Sequence, residues 1–123
     1  MTHDTSLLFA YSREQALADG VLIDVTEQAR HAGFRYPVAV TAALWADLNT
    51  IPDTRSWQDS QGRLWDVLTM GIQAIARGKN GGTELLYPLI MHVGRKTYYT
   101  VKLVCGPGDD AEPVITLMCT DED

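Results

Sequence analysis

The chain has 123 residues, of which 46% are hydrophobic, and a formal net charge of -6 at pH 7. This size suffices for one domain whose core needs no metal or disulfide, and no apolar run approaches the ~18 residues of a membrane span. Residues 103–123 contain six acidic and no basic side chains, so they carry the whole net charge. No basic face is evident that would bind nucleic acid directly.

The first half of the chain is predicted to alternate short helices with short extended pieces. Ser12 and Gln15 form a capping box, and Thr26 and Thr41 each stand where a helix needs an N-cap. Pro37 disfavours a helical conformation at the residue before it. The predicted order is a loose lead-in at 1–10, helices at 13–19, 27–32 and 42–48, extended pieces at 21–25 and 36–40, and a polar loop at 49–61.

Residues 62–77 carry the clearest helical pattern of the sequence. Their apolar residues recur every three to four positions and form one stripe of an amphipathic helix. The stripe consists of Leu64, Val67, Leu68, Gly71, Ile72 and Ile75. Arg63 and Asp66 fall on the polar side. Because Gly71 lies on the stripe, we interpret it as a point of close approach to another backbone.

The last third of the chain predicts an antiparallel meander. Gly94 and Arg95 suit a two-residue type II′ turn, which would pair Glu84 with Cys105. Pro88 has no N–H for a strand ladder, so the first strand should lie at an edge. The three predicted strands are Glu84–Val93, residues 97–105 and residues 114–119.

Together these elements predict an α+β fold with short N-terminal helices, then one long amphipathic helix packed on a three-stranded antiparallel β-meander. We expect residues 1–123 to form a single domain that ends in an acidic tail at 120–123. The residues predicted to be buried together are Leu64, Val67, Leu68, Ile72, Ile75, Val101 and Leu103.

Cysteines and histidines do not indicate metal or nucleophile chemistry. His3, His31 and His92 lack metal-ligand spacing, so we expect neither a metal nor a cofactor. In the predicted register Cys105 lies far along the hairpin from His92 and from Cys119, which argues against a Cys–His dyad and a disulfide. Two cysteines without a secretory signal favour a cytoplasmic protein.

Two carboxylates interrupt apolar stretches, Asp24 in VLIDVT and Asp66 in RLWDVL. Each could be a catalytic group held near an arginine such as Arg35 or Arg63. The structural alternative, which we favour, is that Asp24 helps to cap the helix after Thr26 and that Asp66 is solvated.

Partner contacts are predicted at aromatic and acidic positions. Trp57 lies in the polar loop and Tyr98 on the mixed face of a strand, and aromatic anchors dominate protein interfaces. Asp109, Asp110 and Glu112 share one turn and would steer a basic partner toward the chain.

Three blocks of the sequence have a family resemblance. They are YSREQALADGVLIDVTEQARHAGFRYPVAVTAALWADL, QDSQGRLWDVL and LVCGPGDDAEPVITLM, and they span Tyr11 to Met118. They resemble the DUF6573-like family of small bacterial proteins of unknown function, found on plasmids, phages and other mobile elements. The resemblance implies a cytoplasmic accessory protein of a mobile element, and it carries over no catalytic or binding residue.

We therefore predict a non-enzymatic protein-binding module of a mobile genetic element. More specifically, we expect an anti-defence inhibitor that acts against a CRISPR or a restriction system. The expected partner is a host or phage protein complex rather than nucleic acid or a membrane, and a homo-oligomer is compatible with the sequence. One alternative is a small hydrolase or nucleotide-handling enzyme that uses Asp24 or Asp66. Another is a self-assembling structural or regulatory protein.

Overall fold

The computed structural model of the chain describes residues 11–50, 60–78 and 82–122. These residues contain four helices: α1 (Arg13–Ala18), α2 (Thr26–Ala32), α3 (Ala42–Leu48) and α4 (Ser60–Arg77). The strands are β1 (Leu22–Asp24), β2 (Val38–Thr41), β3 (Glu84–Val93), β4 (Lys96–Pro107) and β5 (Pro113–Cys119). They form one sheet in the order β1-β2-β5-β4-β3. Of the described helices, none has both the length and the apolar character that crossing a membrane requires.

Side-chain caps set the starts of α1 and α3, as predicted. The hydroxyl of Ser12 accepts from Gln15 N at 3.0 Å, and the Gln15 side chain accepts from Ser12 N at 3.2 Å, which completes the capping box. The hydroxyl of Thr41 accepts from Leu44 N at 3.3 Å. Gly33 ends α2 in the left-handed conformation, with φ 115°.

The α+β class is confirmed, but the sheet is larger than the predicted meander. Strands β3, β4 and β5 do follow one another antiparallel, with β3 at an edge. The two extended pieces add β1 and β2, and β2 runs parallel to β5, with Val38 opposite Ile115. Local sequence predicted extended backbone there, whereas the partner of β2 lies at the other end of the chain. The fold is therefore a five-stranded mixed sheet covered by helices.

The register of the β3–β4 hairpin differs from the prediction by one residue. Glu84 pairs with Val104, and this register continues to Ile90. An irregularity follows before Val93, where β3 holds one residue more than β4. The turn itself is as predicted, with Gly94 at φ 60°. The bulge absorbs the difference between the turn and the rest of the hairpin.

Both cysteines are free, as predicted. Cys105 lies opposite Ile115, and Cys119 lies opposite Val101, four residues away along β4. The pairing of β4 with β5 therefore leaves the two thiols well apart.

The core lies between the helices and the inner face of the sheet, and it contains most of the predicted set. Ile72 is half-buried, and Ile75 is 42% exposed, so the prediction for Ile75 is wrong. Ile75 borders an open groove of about 450 Å³ between the end of α4 and the sheet. The predicted residues that are buried are Leu64, Val67, Leu68, Val101 and Leu103.

Gly71 is a point of close approach, but to side chains rather than to a backbone. A Cβ at this position would lie 3.0 Å from the hydroxyl of Tyr87 and 3.3 Å from Cζ of Phe34. The same hydroxyl donates to the carbonyl of Val67 at 2.8 Å. The absence of a side chain at Gly71 therefore makes room for a ring that is bonded to the helix itself.

The outer face of the sheet is only partly covered. Arg13 of α1 reaches over β5 and donates from Nη1 to the hydroxyl of Thr116 at 2.9 Å. On β3 and β4 the same face exposes Leu86, Ile90 and Tyr98.

Candidate functional site

An open, mostly apolar groove follows the free edge of β3, between α4 and the exposed face of the hairpin. Its volume is about 450 Å³. Residues that line it include Asp66, Thr69 and Met70 of α4, Pro88 and Ile90 of β3, and Tyr98 of β4.

Tyr98 is the most exposed large hydrophobic residue that the structure describes, with 75% of its surface open to solvent. It pairs across the hairpin with Ile90, which is 63% exposed, so the two side chains lie side by side on one face. We call the four residues Met70, Pro88, Ile90 and Tyr98 the Tyr98 surface. It presents an aromatic ring next to apolar side chains on the rim of a groove, as interface anchors often do.

A second, polar pocket of about 560 Å³ lies on the other side of Tyr98, near the end of β5. Its walls include Asp47 of α3, Tyr99, Cys119 and Asp121. The hydroxyl of Tyr99 donates to the Asp47 carboxylate at 2.5 Å. Cys119 Sγ lies 3.2 Å from that hydroxyl and 3.8 Å from the same carboxylate oxygen. Asp47, Tyr99 and Cys119 therefore form one hydrogen-bonded group.

The phenol of Tyr99 and the thiol of Cys119 keep their protons at neutral pH. Burial raises the pKa of Tyr99 far above that of a free phenol, and the bonds to Asp47 and Cys119 raise it further. Burial also raises the pKa of the Cys119 thiol, against a smaller lowering effect of the bond to Tyr99. Because the thiolate is the reactive form of cysteine, the arrangement favours hydrogen bonding over nucleophilic attack.

Thr120 and Asp121 line this pocket, and the next residue, Glu122, is hydrogen-bonded to neighbouring elements. A carboxylate oxygen of Glu122 accepts from the hydroxyl of Thr41 at 2.7 Å and from Cys119 N at 2.8 Å. Lys102 Nζ donates to the carbonyl oxygen of Glu122. Part of the predicted acidic tail is thus bonded to the sheet, and these bonds leave the neighbouring Asp121 exposed at the pocket.

Two carboxylates of the acidic turn between β4 and β5 accept hydrogen bonds from the backbone. The two carboxylate oxygens of Asp109 accept from Arg13 N at 2.8 Å and Glu14 N at 3.0 Å, at the start of α1. A carboxylate oxygen of Glu112 accepts from Asp110 N at 2.9 Å. Two of the three predicted steering charges therefore also stabilise local backbone.

The structure does not bring the predicted partner-binding residues together. Tyr98 stands near the start of β4, and the turn with Asp109, Asp110 and Glu112 follows its end. Tyr98 lies nine positions before the last residue of β4, a distance of about 30 Å. Trp57 lies outside the described residues. Tyr98 and the acidic turn therefore mark opposite ends of the sheet.

Asp24 has the structural role that the sequence favoured. Its Oδ1 accepts from the backbone N of Thr26 at 3.1 Å and from the hydroxyl of Thr26 at 2.5 Å. Thr26 is not the N-cap that was predicted, because it is the first residue of α2 and its hydroxyl accepts from Val38 N at 3.1 Å. Asp66 is exposed and borders the groove beside β3.

Arg63 is buried, with 1% of its surface exposed, which corrects its predicted place on the polar side of α4. From Nη1 it donates to the carbonyl oxygens of Asp47 at 3.1 Å and Thr50 at 2.8 Å, and from Nη2 to that of His92. These contacts satisfy carbonyl groups at the end of α3, where a helix has no partners of its own. They also fix the backbone of Asp47 beside the polar pocket.

A model for a protein family of unknown function, DUF6573, matches residues 1–123. The chain belongs to this family. Comparison with curated proteins and with solved structures gave no match.

Asp47, Tyr99 and Asp121 of the DUF6573 chain border Tyr98 but were missed as site residues in the sequence. No local pattern groups them, because they come from a helix, a strand and the chain end. The sequence did indicate one residue of the site, because Tyr98 falls on the mixed face of a strand whose alternate residues are apolar. Within the described part of the chain, no cluster of three or more His, Cys, Asp or Glu side chains is placed to hold a metal ion.

Proposed function

We propose that this chain is a non-enzymatic protein-binding module that docks its partner on the Tyr98 surface. The observation that carries this proposal is the 75% exposure of Tyr98 beside Ile90, at a groove that Met70 and Pro88 also line. Folding leaves these apolar side chains in water, and burying them against a partner would be favourable. Large aromatic side chains with apolar neighbours are the usual energetic centres of protein interfaces.

The polar pocket supports binding more than catalysis. Its thiol, phenol and carboxylate bond to one another, and the raised pKa of Cys119 disfavours the thiolate. The partner that we propose belongs to a host or phage protein complex, and anti-defence inhibition on behalf of a mobile element is the corresponding biological role. We base this role on analogy with other small acidic proteins of such elements and not on any residue of this chain.

Affinity capture with matched variants tests the proposal. The wild-type chain, Tyr98→Ala and Tyr36→Ala serve as baits in bacterial lysates with and without phage proteins. Tyr36 is an exposed aromatic residue, 45% open to solvent, that lines other grooves of the chain and so controls for the general loss of a ring. The expected result is a defined protein that binds the wild type and Tyr36→Ala, with an affinity for Tyr98→Ala weaker by about 30-fold or more.

Capture that Tyr98→Ala leaves unchanged would refute docking on this surface. A different result would favour the enzymatic alternative. If Asp24→Asn stayed folded and bound the partner but lost all biological activity, a catalytic carboxylate would explain the chain better.

A further inference from the structure

Carboxylates border Tyr98 on both sides. Asp66 lines the groove at the edge of β3, and Asp121 lines the polar pocket beyond the ring, and both are exposed. Among the residues that the structure describes, neither contacts a basic side chain within ion-pair distance, and the ion pair found there joins Arg30 and Glu27. The apolar groove therefore has one carboxylate on its wall, and a second carboxylate lies in the polar pocket on the other side of the Tyr98 ring.

This combination selects a cationic partner residue. A guanidinium group stacks on an aromatic face and donates to a carboxylate in the same plane, which a compact ammonium group does less well. The exposed ring of Tyr98 and the carboxylate of Asp121 offer these two partners at one pocket. The apolar part of the groove, with Met70 and Ile90, offers a site for a neighbouring apolar side chain.

The backbone edge of β3 is poorly suited to pairing with another strand. Cys105 N donates to Thr83 O at 2.7 Å, so Thr83 faces β4, as does every second residue after it in an antiparallel pair. Leu86, Pro88 and Ile90 therefore direct their backbone groups to the open edge. Pro88, in the middle, has no N–H to donate. Side chains rather than strand addition must then recognise the occupant, whether it is a second copy or a partner.

We propose that the Tyr98 surface binds a partner segment that places an apolar side chain in the groove and an adjacent arginine between the Tyr98 ring and Asp121. This inference rests on the proposed protein-binding function and specifies the chemistry of the partner. It predicts that the chain recognises a short segment with a basic and an apolar residue. Asp121 would select the charge of the basic residue, and Met70 and Ile90 would select the shape of the apolar side chain.

A pair of blocked dipeptides tests the charge requirement directly. N-acetyl-leucyl-arginine amide and its citrulline counterpart have nearly the same shape, but citrulline carries no charge. Each is titrated into the full-length, ¹⁵N-labelled chain, and the amide shifts are mapped by NMR. The arginine dipeptide should shift the amides of residues 89–90, 98–100 and 120–121, and the citrulline dipeptide should bind about three- to tenfold more weakly.

Matched variants separate this site from general attraction to an acidic protein. Tyr98→Leu keeps an apolar side chain but removes the aromatic face, and Asp121→Asn removes one charge. Both should weaken binding of the arginine dipeptide about threefold or more. Glu84→Gln removes an equal charge from an exposed position at the far end of the hairpin, where Glu84 pairs with Val104, about 20 Å along β4 from Tyr98, and it should change nothing measurable.

Three results would overturn the inference. They are equal affinity of the two dipeptides, shifts that map to another surface, and a loss of binding in Glu84→Gln as large as the loss in Asp121→Asn. Shifts at residues 98–100 that depend on protein concentration alone would instead show that a second copy covers the surface. If both dipeptides fail but Tyr98→Ala still abolishes capture, the arginine inference is wrong and the proposed function stands.

Discussion

Gly71→Ala tests the packing of α4, because the substitution favours the helix itself but should destabilise the folded chain. Gly71→Ala should favour the helix by about 1 kcal/mol, because alanine is the better helix former. Its Cβ, however, would lie 3.0 Å from the hydroxyl of Tyr87 and 3.3 Å from the rings of Tyr87 and Phe34. Overpacking of this kind costs about 1–3 kcal/mol, and displacing the hydroxyl also weakens its bond to Val67 by about 1 kcal/mol. We expect a net loss of about 1–3 kcal/mol.

The background variant Tyr87→Phe isolates the contact. It removes the oxygen atom that is closest to the new methyl group, along with the hydrogen bond, and leaves the ring. Gly71→Ala should then be close to neutral, so the two substitutions should couple by at least about 1 kcal/mol.

Denaturant unfolding of the four chains, the wild type, both single variants and the double variant, gives the cycle. The coupling is read from the free energies of unfolding, provided that the slope with denaturant is the same in all four. If Gly71→Ala stabilises the wild-type chain, or if the two changes are additive, the contact between Gly71 and Tyr87 is not as the structure has it.

Two further predictions concern the core. Leu68→Ala should lower the free energy of unfolding by about 2–5 kcal/mol, because Leu68 is fully buried, and an unchanged denaturation midpoint would place it on the surface. Burial raises the pKa of Tyr87, so its contribution to stability is complete below the unfolded pKa of about 10 and is lost as the pH rises above that value. Above about pH 10 the gap in unfolding free energy between wild type and Tyr87→Phe should therefore narrow by about 1.4 kcal/mol per pH unit, and a constant gap would contradict the burial of Tyr87.

Local signals in the sequence predicted most of the elements. The capping box at Ser12 and the cap at Thr41 set the starts of α1 and α3, and the bounds Ala42–Leu48 and Glu84–Val93 are those observed. These features depend on residues three or four positions apart, which is the range over which sequence patterns report on structure.

Features that depend on distant partners were missed. The addition of β2 to the sheet needs β5, and the bulge after Ile90 changes the register that the turn alone implied. Arg63 was placed in solvent by helical periodicity, yet its long side chain reaches the carbonyl oxygens of Asp47 and Thr50. An arginine stem is apolar and flexible enough to be buried when the charged end finds acceptors. Arg63 is buried because of where α3 lies, and the residue pattern of α4 gives no information about the position of α3.

Only part of the candidate site was predicted, because the rest also depends on residues that are distant in sequence. Alternation along β4 placed Tyr98 on the mixed face, and its exposure agrees with that. The groove next to it depends on where α4 crosses β3, and Asp121 lines the polar pocket beside Glu122, which is bonded to Thr41 and Cys119. Such contacts connect positions too far apart for a local pattern to show.

The acidic turn shows why charge alone does not identify a binding residue. Both Asp109 and Asp110 are exposed acids in one turn, but only the Asp109 carboxylate accepts from the amides of Arg13 and Glu14. A carboxylate at a helix N-terminus typically contributes about 0.5–2 kcal/mol, so Asp109→Ala should lower the free energy of unfolding by about 1 kcal/mol.

Asp110→Ala is the matched control, because it removes the same charge from the next position and should change stability by less than about 0.5 kcal/mol. Denaturant unfolding of both variants decides the point, and equal effects would mean that the bonds from Asp109 to α1 do not persist in solution. The two roles can then be separated in binding. If the turn steers a basic partner, Asp110→Ala should slow association while leaving dissociation and stability unchanged, and this effect should fade at high salt. A variant at Asp109 cannot make that distinction, since it alters the start of α1 and the charge of the turn together.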